Sequence, residues 1–186
     1  MRDAPLPNEI ERVLIDAQEI DVRVRELATQ ISADYARSDG LVLIGVLKGA
    51  FMFMADLTRR LSLPHLVDFI ALSSYNKGVE SQGAVRLIMD TRVNVTGRDI
   101  LIVEDIVDTG FTLEYLLAAF RARRPASLRA CVLLSKPERR CVDVPVDYTG
   151  FTIPDEWLVG YGLDYADRFR TLPYIAVLKP EVYQRS

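Results

Sequence analysis

Residues 100–112 read Ile-Leu-Ile-Val-Glu-Asp-Ile-Val-Asp-Thr-Gly-Phe-Thr, and this stretch predicts a strand, a turn and a helix in direct succession. The apolar run Asp99 to Val103 predicts a short buried strand, and a helix is expected from about Thr112 to Arg123, ended by Pro125. The turn between them offers hydroxyls and approachable backbone N–H groups. A helix that begins in this way can bind a phosphate through its free N–H groups and its dipole. The stretch therefore predicts a phosphate site.

The same alternation of strand and helix extends along most of the chain on both sides of this stretch. Further strands are predicted at Leu41–Leu47, Leu66–Leu72, Val85–Met89 and Leu128–Leu134, and further helices at Asp16–Arg37 and Phe51–Leu61. This order predicts an α/β fold, in which a mostly parallel twisted sheet carries helices on both faces and binds ligands beyond the carboxyl ends of its strands.

The segment from Pro137 onward lacks this alternation. Its short strands, Leu158 to Gly160 and Tyr174 to Leu178, predict a small hood or flank. The sequence contains neither an internal repeat nor a long linker, so residues 1–186 are expected to form a single domain.

Composition excludes several function classes. The chain has 186 residues, 49% of them hydrophobic, and its formal net charge of −3 disfavours a general nucleic-acid or anionic-membrane binder. No apolar run approaches the ~18 residues that span a bilayer. Cys131 and Cys141 lack the spacing of a zinc site and are expected to be reduced. A soluble cytoplasmic protein is the expectation.

Two adjacent acids, Glu104 and Asp105, follow the apolar part of the central stretch. Buried alone they would repel each other, so they favour hydroxyl donors or a divalent cation, and a sugar diol bound with a metal ion would supply both. Such acids can also be solvated loop residues, and Asp-Thr-Gly is common in ordinary turns and caps. The sequence has no GxxxxGK[ST] loop and no GxGxxG after a strand, which excludes those two phosphate-binding motifs.

The whole run resembles the phosphoribosyl pyrophosphate motif of the type I phosphoribosyltransferases, two acids followed by Asp-Thr-Gly-x-Thr. Further matches, from Gly-Val-Leu-Lys-Gly at 45–49 to Asp-Tyr-Ala-Asp-Arg-Phe-Arg at 164–170, narrow the resemblance to bacterial-type hypoxanthine-guanine phosphoribosyltransferases. This resemblance implies the type I phosphoribosyltransferase fold. It also implies magnesium-dependent transfer of a phosphoribosyl group to hypoxanthine, and to guanine, with release of pyrophosphate.

The resemblance also implies which residues bind the phosphoribosyl donor. They are Lys48, Gly49, Glu104, Asp105, Asp108, Thr109, Gly110, Phe111, Thr112 and Arg170. Within this set Glu104 and Asp105 would hold the ribose hydroxyls, residues 108–112 the 5′-phosphate, and Arg170 the pyrophosphate. The loop at Lys48-Gly49 would receive pyrophosphate, and the family often has a cis peptide before that lysine. Glu104, Asp105 and Asp164 are the implied ligands of Mg²⁺.

The purine site that the resemblance implies has two catalytic groups. Asp108 would face purine N7 and exchange its proton, and Lys136 would donate to the 6-oxo group. Trp157 would stack on the ring, the backbone of Leu158 would read the base edge, and Asp164 would complete the site.

Three further expectations follow from the resemblance. Ser74 and Tyr75 match the family's lid, in a polar segment, Ser73 to Gly83, that is expected to be mobile. Ser135 stands where many bacterial members carry an acid, which bears on how Lys136 is oriented. A homodimer or homotetramer is expected, without a nucleic-acid or membrane partner.

Two alternatives stay open. The same fold could use xanthine or a pyrimidine, or it could serve a non-catalytic regulator that senses phosphoribosyl pyrophosphate and binds nucleic acid.

Overall fold

Nine strands and four helices form the described part of the molecule. The computed structural model describes residues 6–74 and 85–184. In chain order the elements are β1 (Ile10–Ile15), α1 (Ala17–Asp34), β2 (Leu41–Leu47), α2 (Phe51–Thr58), β3 (His65–Ser74), β4 (Val85–Met89), β5 (Asp99–Val107), α3 (Phe111–Arg121), β6 (Ser127–Ser135), β7 (Tyr148–Thr152), β8 (Leu158–Val159), β9 (Ile175–Leu178) and α4 (Pro180–Tyr183).

The central sheet has six strands in the order β4-β3-β2-β5-β6-β7. Every neighbouring pair is parallel except β3 with β4, which is antiparallel. Residues from α1 and α2 pack in a core on one face, and residues from α3 pack in a core on the other. The predicted α/β class, with a mostly parallel sheet and helices on both faces, is confirmed.

Helix α1 forms where the apolar period predicts it. Asp16 caps its N-terminus by accepting from the N–H groups of Gln18 and Glu19, and the Glu19 side chain accepts from the Asp16 N–H. The residues at the predicted spacing, Ile20, Val24, Leu27, Ile31 and Tyr35, are all buried. The helix ends at Asp34 rather than at Arg37.

A second, three-stranded sheet in the order β1-β9-β8 forms the hood. The C-terminal segment supplies β8 and β9 of this hood, as predicted, and β1 adds a third strand by pairing antiparallel with β9. The sequence analysis missed β1 because its residues, Ile-Glu-Arg-Val-Leu-Ile, show no clean alternation, and the burial of this strand depends on a partner more than 150 residues away. It also missed β7, the last strand of the central sheet.

Strand β5 is longer than predicted, and this changes the position of the two acids. The prediction ended the strand at Val103, whereas its parallel pairing with β6 continues to Val107 opposite Ser135. Pairing with β2 stops at Val103 opposite Gly45. Glu104 and Asp105 therefore lie in the last part of β5, which pairs with β6 on one side and has no paired strand on the other.

Within the described ranges, no helix combines the length and the apolarity needed to cross a bilayer.

Candidate active site

The polar residues singled out in the sequence lie at the carboxyl end of the central sheet. Lys48 and Gly49 follow β2, Asp108 and the turn at 109–110 follow β5, and Lys136 follows β6. The chain continues from β2 to β3 on one side, and β5 lies on the other side of β2. In open α/β sheets a ligand binds at such a reversal of strand order.

Glu104 and Asp105 form a carboxylate pair in low-polarity surroundings. Glu104 is 5% exposed, and no group of the described residues hydrogen-bonds to its Oε2 atom. Burial, followed by the charge of Asp105, raises the pKa of Glu104 to about 8. Burial also raises the pKa of Asp105 to about 6, against hydrogen bonds from backbone N–H groups and the charge of Arg170, which lower it. A buried acceptor without a hydrogen-bond donor is expected in a site that binds the hydroxyl groups of a ligand or a cation.

Gly49 brings the loop after β2 against this pair. A methyl group on Gly49 would overlap the Asp105 carboxylate, and a methyl group on Gly162 of the hood would overlap the Gly49 carbonyl. Gly162 also has a φ of +106°, in the left-handed region that favours glycine. The loop is thus packed between strand and hood without space for a side chain. The peptide between Leu47 and Lys48 is cis, as the resemblance implies.

The turn after β5 leads into the N-terminus of α3 as predicted, and the helix begins at Phe111. Its N-cap is Gly110, with a φ of +94° and no side chain that could cap the helix. The Thr109 carbonyl accepts from the N–H groups of Cys141 and Val142, at 2.9 and 3.2 Å, which braces the turn. Glu104, Asp105 and residues 106–110, 112 and 113 line one cavity here. A helix N-terminus without a side-chain cap, facing a cavity, suits a phosphate group.

A charged network closes the opposite side of the site. The Arg170 guanidinium lies 2.6 Å from Asp164 Oδ1 and 3.0 Å from Asp167 Oδ1, and it donates to the Gly162 carbonyl. Lys48 Nζ donates to the same Asp167 oxygen at 2.9 Å. The two cations assigned to pyrophosphate are therefore held close together by one exposed carboxylate. The sequence analysis quoted Asp167 within a motif but gave it no role.

Lys136 is buried at the end of β6, with 8% of its surface exposed. Its ammonium group donates to the Glu156 carbonyl at 2.6 Å and to Asp155 Oδ1 at 3.3 Å. Ser135 Oγ instead accepts from Arg140. The absence of an acid at position 135 is therefore compensated by acceptors from residues 155 and 156, which the sequence analysis did not identify.

A second cavity adjoins the first and shares Ile106 and Asp108 with it. Its lining comprises Ile106, Asp108, Lys136, Arg139, Asp155, Glu156, Trp157, Leu158, Leu163 and Asp164. Trp157 is 54% exposed and stacks on Tyr183 at 5.1 Å between ring centroids. The cavity joins a carboxylate, an ammonium group and an aromatic ring, as a polar heterocycle requires.

The carboxylates of the site fit a magnesium ion that is shared with a ligand. Across residues 6–74 and 85–184, no group of three His, Cys, Asp or Glu residues is arranged to hold a metal by itself. Mg²⁺ usually takes one or two carboxylates and completes its shell with water and substrate oxygens. The unpaired Glu104 Oε2 and the neighbouring Asp105 provide such ligands, whereas Asp164 is paired with Arg170.

Of the two residues predicted to form the lid, only Ser74 belongs to a described element. Tyr75 lies outside the described residues, and Ser74 ends β3 without a described side chain.

Three charged residues received no role from the sequence. Arg139 and Asp155 line the second cavity, and Asp167 contacts Lys48 and Arg170. Arg139 Nε lies 2.8 Å from Asp108 Oδ1. Asp167 stands within the quoted motif at 164–170, and Arg139 and Asp155 lie close in the chain to Lys136 and Trp157, which was the available signal.

Comparisons with known proteins agree with this geometry. A family described as the phosphoribosyl transferase domain matches residues 14–166. Hypoxanthine-guanine phosphoribosyltransferase of Bacillus subtilis strain 168 is 48% identical over 96% of this chain and 99% of its own length. A solved Trypanosoma cruzi hypoxanthine phosphoribosyltransferase superposes with a TM-score of 0.92 at 46% identity, covering 98% of each chain. A T. cruzi structure in complex with the product IMP gives a TM-score of 0.90 at 46% identity, covering 97% of this chain and all of the other.

Proposed function

The chain belongs to the hypoxanthine-guanine phosphoribosyltransferases, and from this membership we propose how its own residues carry out the transfer. The enzyme moves the 5-phosphoribosyl group of phosphoribosyl pyrophosphate to hypoxanthine, giving IMP and pyrophosphate, in purine salvage. Guanine is the second base, because it presents the same 6-oxo and N7 atoms. The observation that carries the assignment of roles is that Asp108 lines both cavities, between a phosphate-type turn and the buried Lys136.

The donor lies in the first cavity. Its 5′-phosphate accepts from the backbone N–H groups at the start of α3 and from the hydroxyls of Thr109 and Thr112. The ribose hydroxyls donate to Glu104 and Asp105, which removes the cost of an unpaired buried acceptor. Lys48, Gly49 and Arg170 bind the pyrophosphate, which places the leaving group against the two cations of the charged network.

The base lies in the second cavity. Trp157 and the backbone of Leu158 hold the ring and its edge, Lys136 donates to the 6-oxo group, and Asp108 accepts the N7 proton. Negative charge develops on the oxygen as N7 loses its proton, and the buried ammonium group stabilises that charge more strongly than it would in water.

Mg²⁺ is the cofactor in this proposal, and Glu104, Asp105 and Asp164 are the carboxylates that would hold it, partly through water. A metal ion held by these carboxylates would supply positive charge to offset that of the departing pyrophosphate. The chemistry of the donor set supports this assignment, since all three groups are oxygen ligands, with Glu104 and Asp105 lining the donor cavity and Asp164 lining the second cavity beside it.

We further propose a homodimer or homotetramer that works in the cytoplasm, with residues 1–186 as one domain. Exposed apolar side chains occur on neighbouring strands β3 and β4, at Leu66, Val67, Ile88 and Met89, and those that share a face of the sheet offer a surface for self-association. The thiol of Cys141 is free and exposed, which suits a reducing compartment.

Pyrophosphate release with Mg²⁺ and phosphoribosyl pyrophosphate tests the function, with hypoxanthine, guanine, xanthine, adenine and uracil assayed in parallel. We expect turnover with hypoxanthine and guanine. Turnover confined to xanthine or to uracil would replace the base assignment. If none of the five bases gives pyrophosphate release while calorimetry shows that the donor binds, the result would support a regulator instead of an enzyme.

A further inference from the structure

Arg139 and Asp155 connect the two groups that act on the base. Arg139 Nε lies 2.8 Å from Asp108 Oδ1, and Arg139 Nη1 lies 3.4 Å from both oxygens of Asp155. Asp155 Oδ1 in turn accepts from Lys136 Nζ at 3.3 Å. The four side chains form a line of alternating charge, carboxylate, guanidinium, carboxylate and ammonium, and all four line the second cavity.

This arrangement addresses a problem that the reaction creates. N7 and the 6-oxo group are neighbouring atoms of the purine, so their partners, Asp108 and Lys136, must lie close together with opposite charges. Left alone, such a pair would form a direct salt bridge and compete with the base for both groups. Among the described residues Asp108 and Lys136 form no such bridge.

The backbone supports the same arrangement. Arg139 ends a short 3-10 turn, Pro137–Arg139, that directly follows Lys136, so its position is tied to the end of β6. The second acceptor of Lys136 is the Glu156 carbonyl at 2.6 Å, next to Asp155 in the chain. Both pairs are thus fixed by neighbours in sequence, and the cavity needs little rearrangement to accept a base.

We propose that Arg139 and Asp155 are positioning residues that keep Asp108 and Lys136 apart and aimed at adjacent atoms of the 6-oxopurine. Arg139 holds Asp108, Asp155 holds Lys136, and the contact between Arg139 and Asp155 fixes the distance between the two pairs. This inference rests on the roles of Asp108 and Lys136 in the proposed function. It adds that recognition of the base depends on two residues that need not touch it.

Steady-state kinetics of Arg139→Gln, Asp155→Asn and the double variant test the inference, with kcat and with KM measured separately for hypoxanthine and for the donor. We expect each single variant to raise the hypoxanthine KM by about tenfold or more, with the donor KM within about twofold of the wild type. The double variant should be less impaired than the product of the two single effects, because both remove one line of contacts. Arg139→Lys keeps the positive charge but lacks the planar guanidinium group, so its hypoxanthine KM should rise less than that of Arg139→Gln.

Glu138→Gln is the matched control, since Glu138 lies in the same 3-10 turn and is exposed. It should leave all three parameters unchanged. Equal increases in both KM values, or independent effects in the double variant, would overturn the positioning role. A loss of kcat at unchanged hypoxanthine KM would also overturn it, by placing Arg139 at the reacting atoms.

Assays of the wild type and of Asp108→Asn separate a failure of the positioning role from a failure of the proposed function. An active wild type, a slow Asp108→Asn and unaffected Arg139 and Asp155 variants would contradict only this inference. Absence of wild-type turnover with every base would contradict the proposed function and this inference with it.

Discussion

A carboxylate buried beside another carboxylate costs free energy, and Glu104 carries that cost together with Asp105. Burial and the neighbouring charge raise the pKa of Glu104 to about 8. The folded protein therefore binds a proton, between pH ~4.5 and ~8, that the unfolded chain releases, so the free energy of unfolding falls as pH rises through this range. Loss of this proton thus lowers stability and at the same time makes Glu104 a carboxylate that can bind a cation.

Replacement of Glu104 by Gln should remove this pH dependence in part. We expect Glu104→Gln to raise Tm relative to the wild type by about 3 °C or more at pH 8, with a smaller difference at pH 5. Thermal unfolding followed by circular dichroism across pH 5–8 measures it, with Glu138→Gln as an exposed control. A Tm difference that does not change with pH would contradict the assigned cause.

Asp108 should affect chemistry more than binding of the donor. Asp108→Asn keeps the size of the side chain but cannot take the N7 proton, so we expect kcat to fall by about 10²–10⁴-fold. The donor KM should change by no more than a few-fold, whereas Thr112→Val should raise the donor KM. Equal losses in both parameters for Asp108→Asn would show that it mainly binds the donor.

At the level of elements, the site depends on the point at which β5 separates from β2, which itself continues to Leu47. Pairing with β2 ends at Val103, whereas pairing with β6 continues to Val107. This leaves room beside Glu104 and Asp105 for the loop at Gly49, which approaches so closely that no side chain fits.

Gly49→Ala tests this close approach. The added methyl group would displace the Asp105 carboxylate, so we expect the donor KM to rise by about tenfold or more. Gly40→Ala is the control, because a methyl group there meets open space. A Gly49→Ala enzyme with the wild-type donor KM would show that the loop can move aside without affecting the site.

At the scale of the whole molecule, the hood is attached to the base-binding segment through Arg12. This residue of β1 donates to both oxygens of Glu156, at 2.8 and 2.7 Å, and the Glu156 carbonyl holds Lys136. A strand near the start of the chain thereby supports Lys136, the residue proposed to bind the 6-oxo group.

Arg12→Ala should weaken base binding without unfolding the protein. We expect the hypoxanthine KM to rise about threefold to tenfold at an unchanged donor KM, because an exposed ion pair contributes little to stability. Arg25→Ala removes an exposed ion pair with Asp21 on α1 and serves as the comparison. An unchanged hypoxanthine KM would mean that Glu156 holds its position without Arg12.

Patterns in the sequence were sufficient to predict the parts that depend on residues close together in the chain. The apolar period located α1, an unbroken apolar run located β2, and the run at residues 100–112 identified a strand, a turn and a helix with a phosphate-type beginning. Such features arise from backbone geometry and local burial, which neighbouring residues encode.

Contacts between residues far apart in the chain, in contrast, are visible only in the folded molecule. Arg12 and Glu156 are 144 positions apart, and Lys48 and Asp167 are 119 positions apart. The extension of β5 to Val107 depends on β6, and the burial of β1 depends on β9. Pairing of this kind follows from the path of the whole chain and from the water that burial excludes, so no local pattern specifies it.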